Sequence, residues 1–330
     1  MRSRLAVRLR AAAVAAALLA VGSATTGPPA QAAPAAGTAL AVGTQYDTTH
    51  VYVTPGSMDA FVTSWEATFG GSHTPKALVT VTPTPSSTYS QLVLSPAGTL
   101  SVFDYVTPVP YPFGAERTGW LVQDLDRGVR RAEEAGAGVV VAPFDDPIGR
   151  DAVIRFPGGI DAQLYWHTTP PSYPPSATVP ENRLYVPPGS LRAFLHSYLR
   201  FTGGRVVSDD PRAPGAELGM PGTTYHRIRI TGPFGDTVVQ ATDGHLPHPF
   251  GRELTGYQVD DLATTLTRAR AAGAQVLWGP RTTADRDSAL VQFPGGYVAE
   301  WPGCTWGTSR RRPGPRPATS RKPAKREPAV

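Results

Sequence analysis

The feature that most constrains this chain is an internal repeat. Residues 112–125 read PFGAERTGWLVQDL and residues 249–262 read PFGRELTGYQVDDL, so nine of fourteen positions are identical at an offset of 137. The same offset relates the phrase F-P-G-G at 156–159 to F-P-G-G at 293–296. Chance does not produce these matches in one register, and a fixed-period repeat indicates that one structural unit is used twice.

The two copies define the domain organisation that we expect. Near the start of each copy, THVYVTPGS at 49–57 matches NRLYVPPGS at 182–190. We predict one domain over 45–168 and a second over 182–303, each long enough to bury a core of its own. The proline-rich stretch at 169–181 is predicted to be the linker between them.

Within each copy, the order strand, helix, strand, strand, strand occurs twice. A helix is predicted over 57–69, with Ser57 as its cap and with Phe61 and Trp65 on one face. Its repeat is predicted over 190–202, and the short strands GWLV and GYQV open the second module of each copy. The predicted fold class is therefore α+β, with four β-α-β-β-β modules.

Both ends of the chain are predicted to lie outside the domains. Residues 1–32 combine four arginines, a short apolar run and a small-residue cleavage site, which is typical of a secretory leader rather than a membrane span. Residues 304–330 are rich in proline, arginine and lysine, which predicts a disordered basic tail. We therefore expect a secreted protein with no transmembrane segment after removal of the leader.

The basic residues are concentrated at these ends. Once the leader and the tail are set aside, the 31 basic and 26 acidic residues of the chain fall to 19 and 25, a net charge of about −6. A nucleic-acid-binding domain needs its positive charge on the folded surface, so no nucleic-acid partner is expected. The tail is a candidate for contact with an anionic polymer at the cell surface.

The module order, together with the phrases V-Q/D-D-L, A-G-A and F-P-G-G, resembles the vicinal oxygen chelate superfamily over about 255 residues. That superfamily includes glyoxalase I, extradiol dioxygenases, fosfomycin-resistance enzymes and bleomycin-binding proteins, so the resemblance implies a fold and no single activity. It implies that two modules curl their sheets into an open half-barrel around a pocket, giving two glyoxalase-like half-barrel domains. Either neighbouring modules pair, or module one pairs with module four and module two with module three.

The resemblance also implies where metal-using members would hold a cation, on the first and last strand of each module. In chain order these positions are His50, Ser101, Arg117, Gln163, Arg183, Val238, Leu254 and Glu300. Neighbour pairing places His50 and Gln163 beside Arg117 and sets Arg183 against Glu300 as an ion pair, whereas crossed pairing joins His50 to Glu300. Neither arrangement supplies three ligands, so no metal cofactor is favoured. If a divalent metal is bound, His50 and Glu300 are the expected ligands.

Three functions remain open on the sequence. The first is metal-free binding of a small aromatic or amphipathic molecule, with Phe103, Trp120, Tyr257 and Trp301 as an aromatic wall. The second is an enzyme of the glyoxalase, lyase or dioxygenase type that uses His50 and Glu300 with a divalent metal or as acid and base. The third is a surface interaction protein anchored by its basic tail. The predicted binding residues are His50, Phe103, Arg117, Trp120, Gln163, Arg183, Tyr257, Glu300 and Trp301.

Overall fold

A computed structural model describes residues 39–167, 171, 173–251, 253–282 and 287–303. The predicted leader and the predicted basic tail lie outside the described residues, as does part of the predicted linker. Within the described ranges, no helix is long and apolar enough to cross a membrane.

The chain forms two mixed β-sheets, one for each copy of the repeat. The strands of the first are β1 (Thr48–Tyr52), β2 (Ser72–His73), β3 (Ala77–Val79), β4 (Thr88–Ser95), β5 (Gly98–Tyr105), β6 (Thr118–Leu121), β7 (Gly138–Asp145), β8 (Gly149–Phe156) and β9 (Ile160–His167). The strands of the second are β10 (Glu181–Val186), β11 (Arg205–Pro214), β12 (Thr224–Gly232), β13 (Gly235–Ala241), β14 (Leu254–Gly256), β15 (Gln275–Thr282), β16 (Asp287–Gln292) and β17 (Val298–Gly303). Glu181, which the predicted linker included, is the first residue of β10.

Both sheets have the same strand order. The first runs β2-β4-β5-β1-β6-β9-β8-β7, with β3 beside β4, and the second runs β11-β12-β13-β10-β14-β17-β16-β15. At the centre of each sheet the first strands of neighbouring modules, β1 with β6 and β10 with β14, pair antiparallel. Modules one and two therefore share one half-barrel, and modules three and four share the other, which settles the pairing that the sequence left open.

Among the described residues, four α-helices cover one side of the sheets. The first copy supplies α1 (Met58–Phe69) and α2 (Leu125–Glu134), and the second copy supplies α3 (Leu191–Thr202) and α4 (Leu262–Ala271). Ser57 is the N-cap residue of α1, as predicted, but its side chain makes no cap hydrogen bond. The carboxylate of Asp104 on β5 does this work instead, accepting hydrogen bonds from the backbone N–H of Gly56 and of Met58 at 2.9 and 3.1 Å. A side chain from the sheet thus fixes the start of the helix.

The predicted strand GYQV is also shifted, because β14 ends at Gly256. The reason is that β10 begins at Glu181, which lies opposite Gly256, so the ladder between the two strands stops there. The backbone N–H groups of Tyr257 and Val259 still donate to carbonyls of β17, at 2.9 and 3.1 Å. The segment therefore continues along β17 after it has left β10.

On the helix side, the modules are joined in the crossed pattern. One buried core combines side chains of modules one and four, and the other combines those of modules two and three. The repeated F-P-G-G turns make these contacts. Gly295 has φ of +85°, and a Cβ there would lie 2.9 Å from Cβ of Val53; Gly158 has φ of +94°, and its Cβ would lie 3.2 Å from Val186. Only glycine permits this close approach in a left-handed conformation.

Candidate functional site

Strand alternation decides which side chains face the concave side of the first half-barrel. On β1, Val51 points into the helix-side core, so His50 and Tyr52 point the other way. The parallel strand β5 places Ser101 beside His50 and Phe103 beside Tyr52. These four side chains therefore share the concave face.

At the centre of this face is Glu116, which immediately precedes Arg117 before β6 and is fully buried. Its Oε1 accepts a hydrogen bond from the Tyr52 hydroxyl and lies 3.4 Å from Nδ1 of His50. Burial, reinforced by the negative charge of Glu116, raises the pKa of the Tyr52 and Tyr105 hydroxyls, so both remain protonated. Glu116 is not among the binding residues predicted from the sequence.

Two buried atoms in this cluster have unused hydrogen-bonding capacity. Oε2 of Glu116 and the hydroxyl of Tyr105 have no hydrogen-bond partner in the part of the chain that the structure describes. Buried polar atoms are nearly always paired, and leaving one unpaired costs about 1–3 kcal/mol. These two atoms therefore indicate a position where a water molecule or a ligand forms the missing hydrogen bonds.

His50 is held in place by a close approach to the neighbouring strand. A Cβ at Gly119 would lie under 3.0 Å from Nε2 of His50 and 2.8 Å from Oγ1 of Thr48. The imidazole also contacts Phe103 edge to face, with ring centroids 5.5 Å apart. One ring nitrogen thus faces Glu116 and the other lies against the backbone of β6.

Gln163, the second predicted ligand of this half-barrel, is engaged elsewhere. Its amide donates a hydrogen bond to Oδ2 of Asp151 at 2.8 Å. Burial and the charge of Asp146 raise the pKa of the Asp151 carboxyl, and the hydrogen bond from Gln163 lowers it only in part. Gln163 is therefore a buried hydrogen-bonding partner of Asp151.

In the second half-barrel, an arginine takes the place of His50. Arg183 is fully buried, and a Cβ at Gly256 would lie 2.8 Å from its Nε. Its guanidinium lies 2.7 Å from Glu181 and 3.4 Å from Glu300, so the ion pair predicted for neighbour pairing is present. Burial lowers the pKa of Arg183, but the charges of Glu300 and Glu181 outweigh this and raise it, which keeps the side chain charged.

Side chains also fill the mouth of the second half-barrel. Arg227 lies 2.7 Å from Glu217, which accepts a further hydrogen bond from the Tyr225 hydroxyl at 2.8 Å. An apolar cluster surrounds this network and comprises Ala213, Leu218 and Tyr225 with the partly buried Tyr185, Met220, Leu246 and Phe250. An ion pair, a hydrogen bond and apolar side chains therefore occupy this part of the second half-barrel.

The predicted aromatic wall needs correction. Trp120, Tyr257 and Trp301 are at most 2% exposed and lie in the helix-side cores. Alternation explains this, because Gly119, Gly256 and Glu300 face the half-barrels, and the residue that follows each of them must point to the helices.

Of the four predicted aromatic residues, Phe103 alone faces the first half-barrel. There it stacks on Tyr52 at a centroid distance of 5.3 Å, and Tyr52 stacks on Tyr105 at 6.2 Å. Tyr52 and Phe103 are partly exposed. The aromatic wall of the first half-barrel is thus formed by Tyr52, Phe103 and Tyr105.

A cavity of about 50 Å³ adjoins this wall where the first copy meets the fourth module. Its lining residues are Tyr52, Arg117, Glu253, Leu254, Thr255, Gly296, Tyr297 and Val298. The guanidinium of Arg117 lies 5.9 Å from the centre of the Tyr52 ring. Burial raises the pKa of Glu253 to about 8, although the positive charge of Arg117 acts in the opposite direction.

The positions that the resemblance predicts for a cation do not converge on one point among the described residues. Among the described residues, no group of three or more His, Cys, Asp or Glu side chains is arranged to hold a metal ion. His50 and Glu300 lie in different half-barrels, so the predicted acid–base or metal pair does not form one site. Arg117 and Arg183 bring positive charge to the remaining positions, which works against a cation.

Glu116 and Glu253 were detectable in the sequence. They occupy equivalent positions of the repeat, P-F-G-A-E and P-F-G-R-E, and both precede the first strand of a module. The signal was missed because the ligand positions were taken from the strands alone. The copies differ at the next residue, which is Arg117 in the first and Leu254 in the second.

Comparison with known proteins gives structural likeness only. No protein-family model and no curated protein matches the sequence. A mutant of 4-hydroxymandelate synthase from Streptomyces coelicolor is 16% identical with a TM-score of 0.52, over 78% of this chain and 91% of that one. The 2,3-dioxygenase LapB from Pseudomonas sp. KL28 is 11% identical with a TM-score of 0.48, over 78% and 91%. The Mn(II)-bound glyoxalase from Novosphingobium aromaticivorans is 13% identical with a TM-score of 0.46, over 78% and 81%.

Proposed function

We propose that this chain, which has the fold of the vicinal oxygen chelate superfamily, is an exported binding protein for a small aromatic or amphipathic molecule. The observation that carries the proposal is the combination found in the first half-barrel. Partly exposed Tyr52 and Phe103 rings lie beside two buried polar atoms without partners, Oε2 of Glu116 and the hydroxyl of Tyr105. Export rests on the leader-like sequence of residues 1–32.

The arrangement favours a ligand with an aromatic ring and a hydrogen-bond donor. A ring stacked on Tyr52 and Phe103 would remove apolar surface from water, and aromatic pairs add about 0.5–1.5 kcal/mol beyond that burial. A hydroxyl or amino group on the ring would donate to Oε2 of Glu116. Since Glu116 accepts from Tyr52 through its other oxygen, the acceptor is already oriented before the ligand arrives.

We propose that binding needs no metal ion. His50 is engaged with Glu116 and Gly119, and Gln163 with Asp151, so neither is directed at a common point. A cation site of this kind needs about three oxygen or nitrogen ligands that converge. The second half-barrel has a structural role in this proposal, because an ion-pair network and an apolar cluster fill it.

The test compares the affinities of 4-fluorophenol and fluorobenzene for the full chain, both measured by 19F NMR titration. These probes share a ring and differ in the hydroxyl donor, so we expect the phenol to bind at least about tenfold more tightly. Glu116→Gln replaces one acceptor with a donor and should abolish that preference. Tyr185→Phe is the matched control, because Tyr185 is the repeat equivalent of Tyr52 and lies in the filled half-barrel.

Two results would contradict the proposal. One is equal binding of both probes to the wild-type protein, which would remove the role of Glu116 as the ligand acceptor. The other is loss of binding in Tyr185→Phe with retention in Glu116→Gln, which would move the site to the second half-barrel.

A further inference from the structure

The cavity between the first copy and the fourth module differs in chemistry from the aromatic wall that it adjoins. We infer that this cavity is a separate binding site for a small carboxylate of acetate size, held by the guanidinium of Arg117 and the side chain of Glu253. The inference does not depend on the aromatic ligand proposed above, although Tyr52 borders both sites.

The size of the cavity limits the ligand. A water-sized group needs about 10–15 Å³ on the same measure, and an apolar cavity of about 150 Å³ accommodates benzene. A volume of about 50 Å³ therefore holds a few non-hydrogen atoms and is too small for an aromatic ring. Acetate, with four non-hydrogen atoms, matches this volume.

The charge of the cavity points to an anion. Arg117 is half-buried, and its guanidinium lies 5.9 Å from the centre of the Tyr52 ring. Its positive charge lowers the pKa of Glu253, but among the described residues no side chain forms a hydrogen bond or an ion pair with the guanidinium. A planar guanidinium binds a carboxylate through two parallel N–H···O bonds, and such charge-assisted bonds are about twice as strong as neutral ones. Burial in a cavity strengthens the attraction further.

Glu253 is the single acidic residue of the lining, and its protonation state decides whether it helps or hinders. Burial raises its pKa to about 8, with Arg117 lowering it and the negative charges of Asp161 and Glu116 raising it. Below pH 8 the neutral carboxyl group can donate a hydrogen bond to a remaining lone pair of the anion, while Arg117 binds both of its oxygens. Above pH 8 its own negative charge neutralises Arg117 and repels the ligand.

The repeat shows that the chain combines a glutamate and an arginine in this way at one place, the cavity lined by Glu253 and Arg117. Glu116 and Glu253 are equivalent, but the position after Glu253 is Leu254, where the first copy has Arg117. The cavity therefore joins the glutamate of the second copy to the arginine of the first. Arg117→Leu introduces at this position the residue that the second copy already carries.

The experiment titrates the full chain with 13C-labelled acetate and, separately, with 13C-labelled acetamide. Binding is monitored by the broadening of the ligand NMR lines at constant ionic strength. Acetate should bind at pH 6, and acetamide, which has the same shape without the charge, should bind at least tenfold more weakly. Because a group with a pKa of about 8 is about one-tenth protonated at pH 9, acetate binding should weaken about tenfold between pH 6 and pH 9.

Three variants complete the test. Arg117→Leu should lose acetate binding at both pH values, and Glu253→Gln should bind acetate equally at pH 6 and pH 9, since the amide is a permanent neutral donor. Arg281→Leu, an exposed arginine next to Trp278, is the control and should bind as the wild type does. Circular dichroism melting confirms that each variant is folded.

Three results would overturn the inference. The first is equal binding of acetate and acetamide, and the second is acetate binding by Arg117→Leu that is as tight as that of the wild type. The third is acetate binding by the wild type that does not change with pH.

Discussion

Replacement of Arg183 by alanine is the most informative test of the second half-barrel. The guanidinium is fully buried, lies 2.7 Å from Glu181 and 3.4 Å from Glu300, and rests against Gly256. Arg183→Ala removes the cation and leaves Glu300, which is 8% exposed, without its guanidinium. The substitution also leaves a space where the side chain was.

The size of the effect follows from the burial of the two acids. Removing one partner of a buried ion pair costs about 3–5 kcal/mol. The Glu181 side chain is 24% exposed and lies 4.0 Å from Arg229, so water and a second cation compensate part of its loss. We therefore expect Arg183→Ala to lower the free energy of unfolding by about 2–4 kcal/mol.

The assay is urea denaturation followed by circular dichroism, with the slope of the transition compared between variants. A double variant combines Arg183→Met, which keeps most of the side-chain volume, with Glu300→Gln, which removes the buried negative charge. It should recover at least half of the unfolding free energy that Arg183→Ala loses. Arg281→Ala is the exposed control and should change stability by no more than about 0.5 kcal/mol. If Arg183→Ala is as stable as this control, Arg183 does not hold the second half-barrel together.

Three further predictions concern the first copy. Gly119→Ala should lower the unfolding free energy by about 1–3 kcal/mol because its Cβ overlaps His50, and His50→Ala should reduce that penalty in the double variant. Asp104→Ala should remove the cap of α1 and cost about 1–2 kcal/mol, measured by urea denaturation. Asp151→Asn should gain stability relative to the wild type as the pH rises above about 4, measured by urea denaturation at a series of pH values. The sign follows because burial raises the folded-state pKa of this carboxyl, so ionisation destabilises the wild type as pH rises.

Two of these predictions, those for Gly119→Ala and Asp104→Ala, have a matched control variant. Gly189→Ala places a Cβ where no atom lies within 4 Å, and Ser57→Ala removes the hydroxyl that was predicted to cap α1 but does not. Both should stay within about 0.5 kcal/mol of the wild type. A cost for Ser57→Ala equal to that of Asp104→Ala would contradict the assignment of the cap, and a constant difference between Asp151→Asn and wild type across pH would contradict the raised pKa.

The repeat made the fold predictable, but it could not decide how the modules associate. Matching phrases at one offset indicate equivalent elements, and the helices over 57–69 and 190–202 lie within one residue of α1 and α3. The matching phrases carry no information on which modules touch. Neighbouring modules share a sheet, whereas modules one and four, and modules two and three, share a helix-side core. Both contacts use residues of the repeat.

The site was only partly predictable, because the side-chain direction of each strand residue depends on which face its neighbours occupy. Once His50 is placed on the concave face, Gly119 must face it, and Trp120 must then point to the helices. The fully buried Glu116 precedes its strand, so a search limited to strand positions passed over it. Glu253 and Arg117 line one cavity because the two copies approach each other there, and no local sequence pattern encodes that approach.

The most direct test of the account is to purify the protein from its own culture medium and to combine native mass spectrometry with elemental analysis. We expect an added mass that corresponds to a small organic molecule, reduced in Glu116→Gln, and less than one-tenth of an equivalent of any transition metal. One zinc, nickel, manganese or iron ion per chain that is lost in His50→Ala would contradict the account, because it would show that the first half-barrel is a metal site.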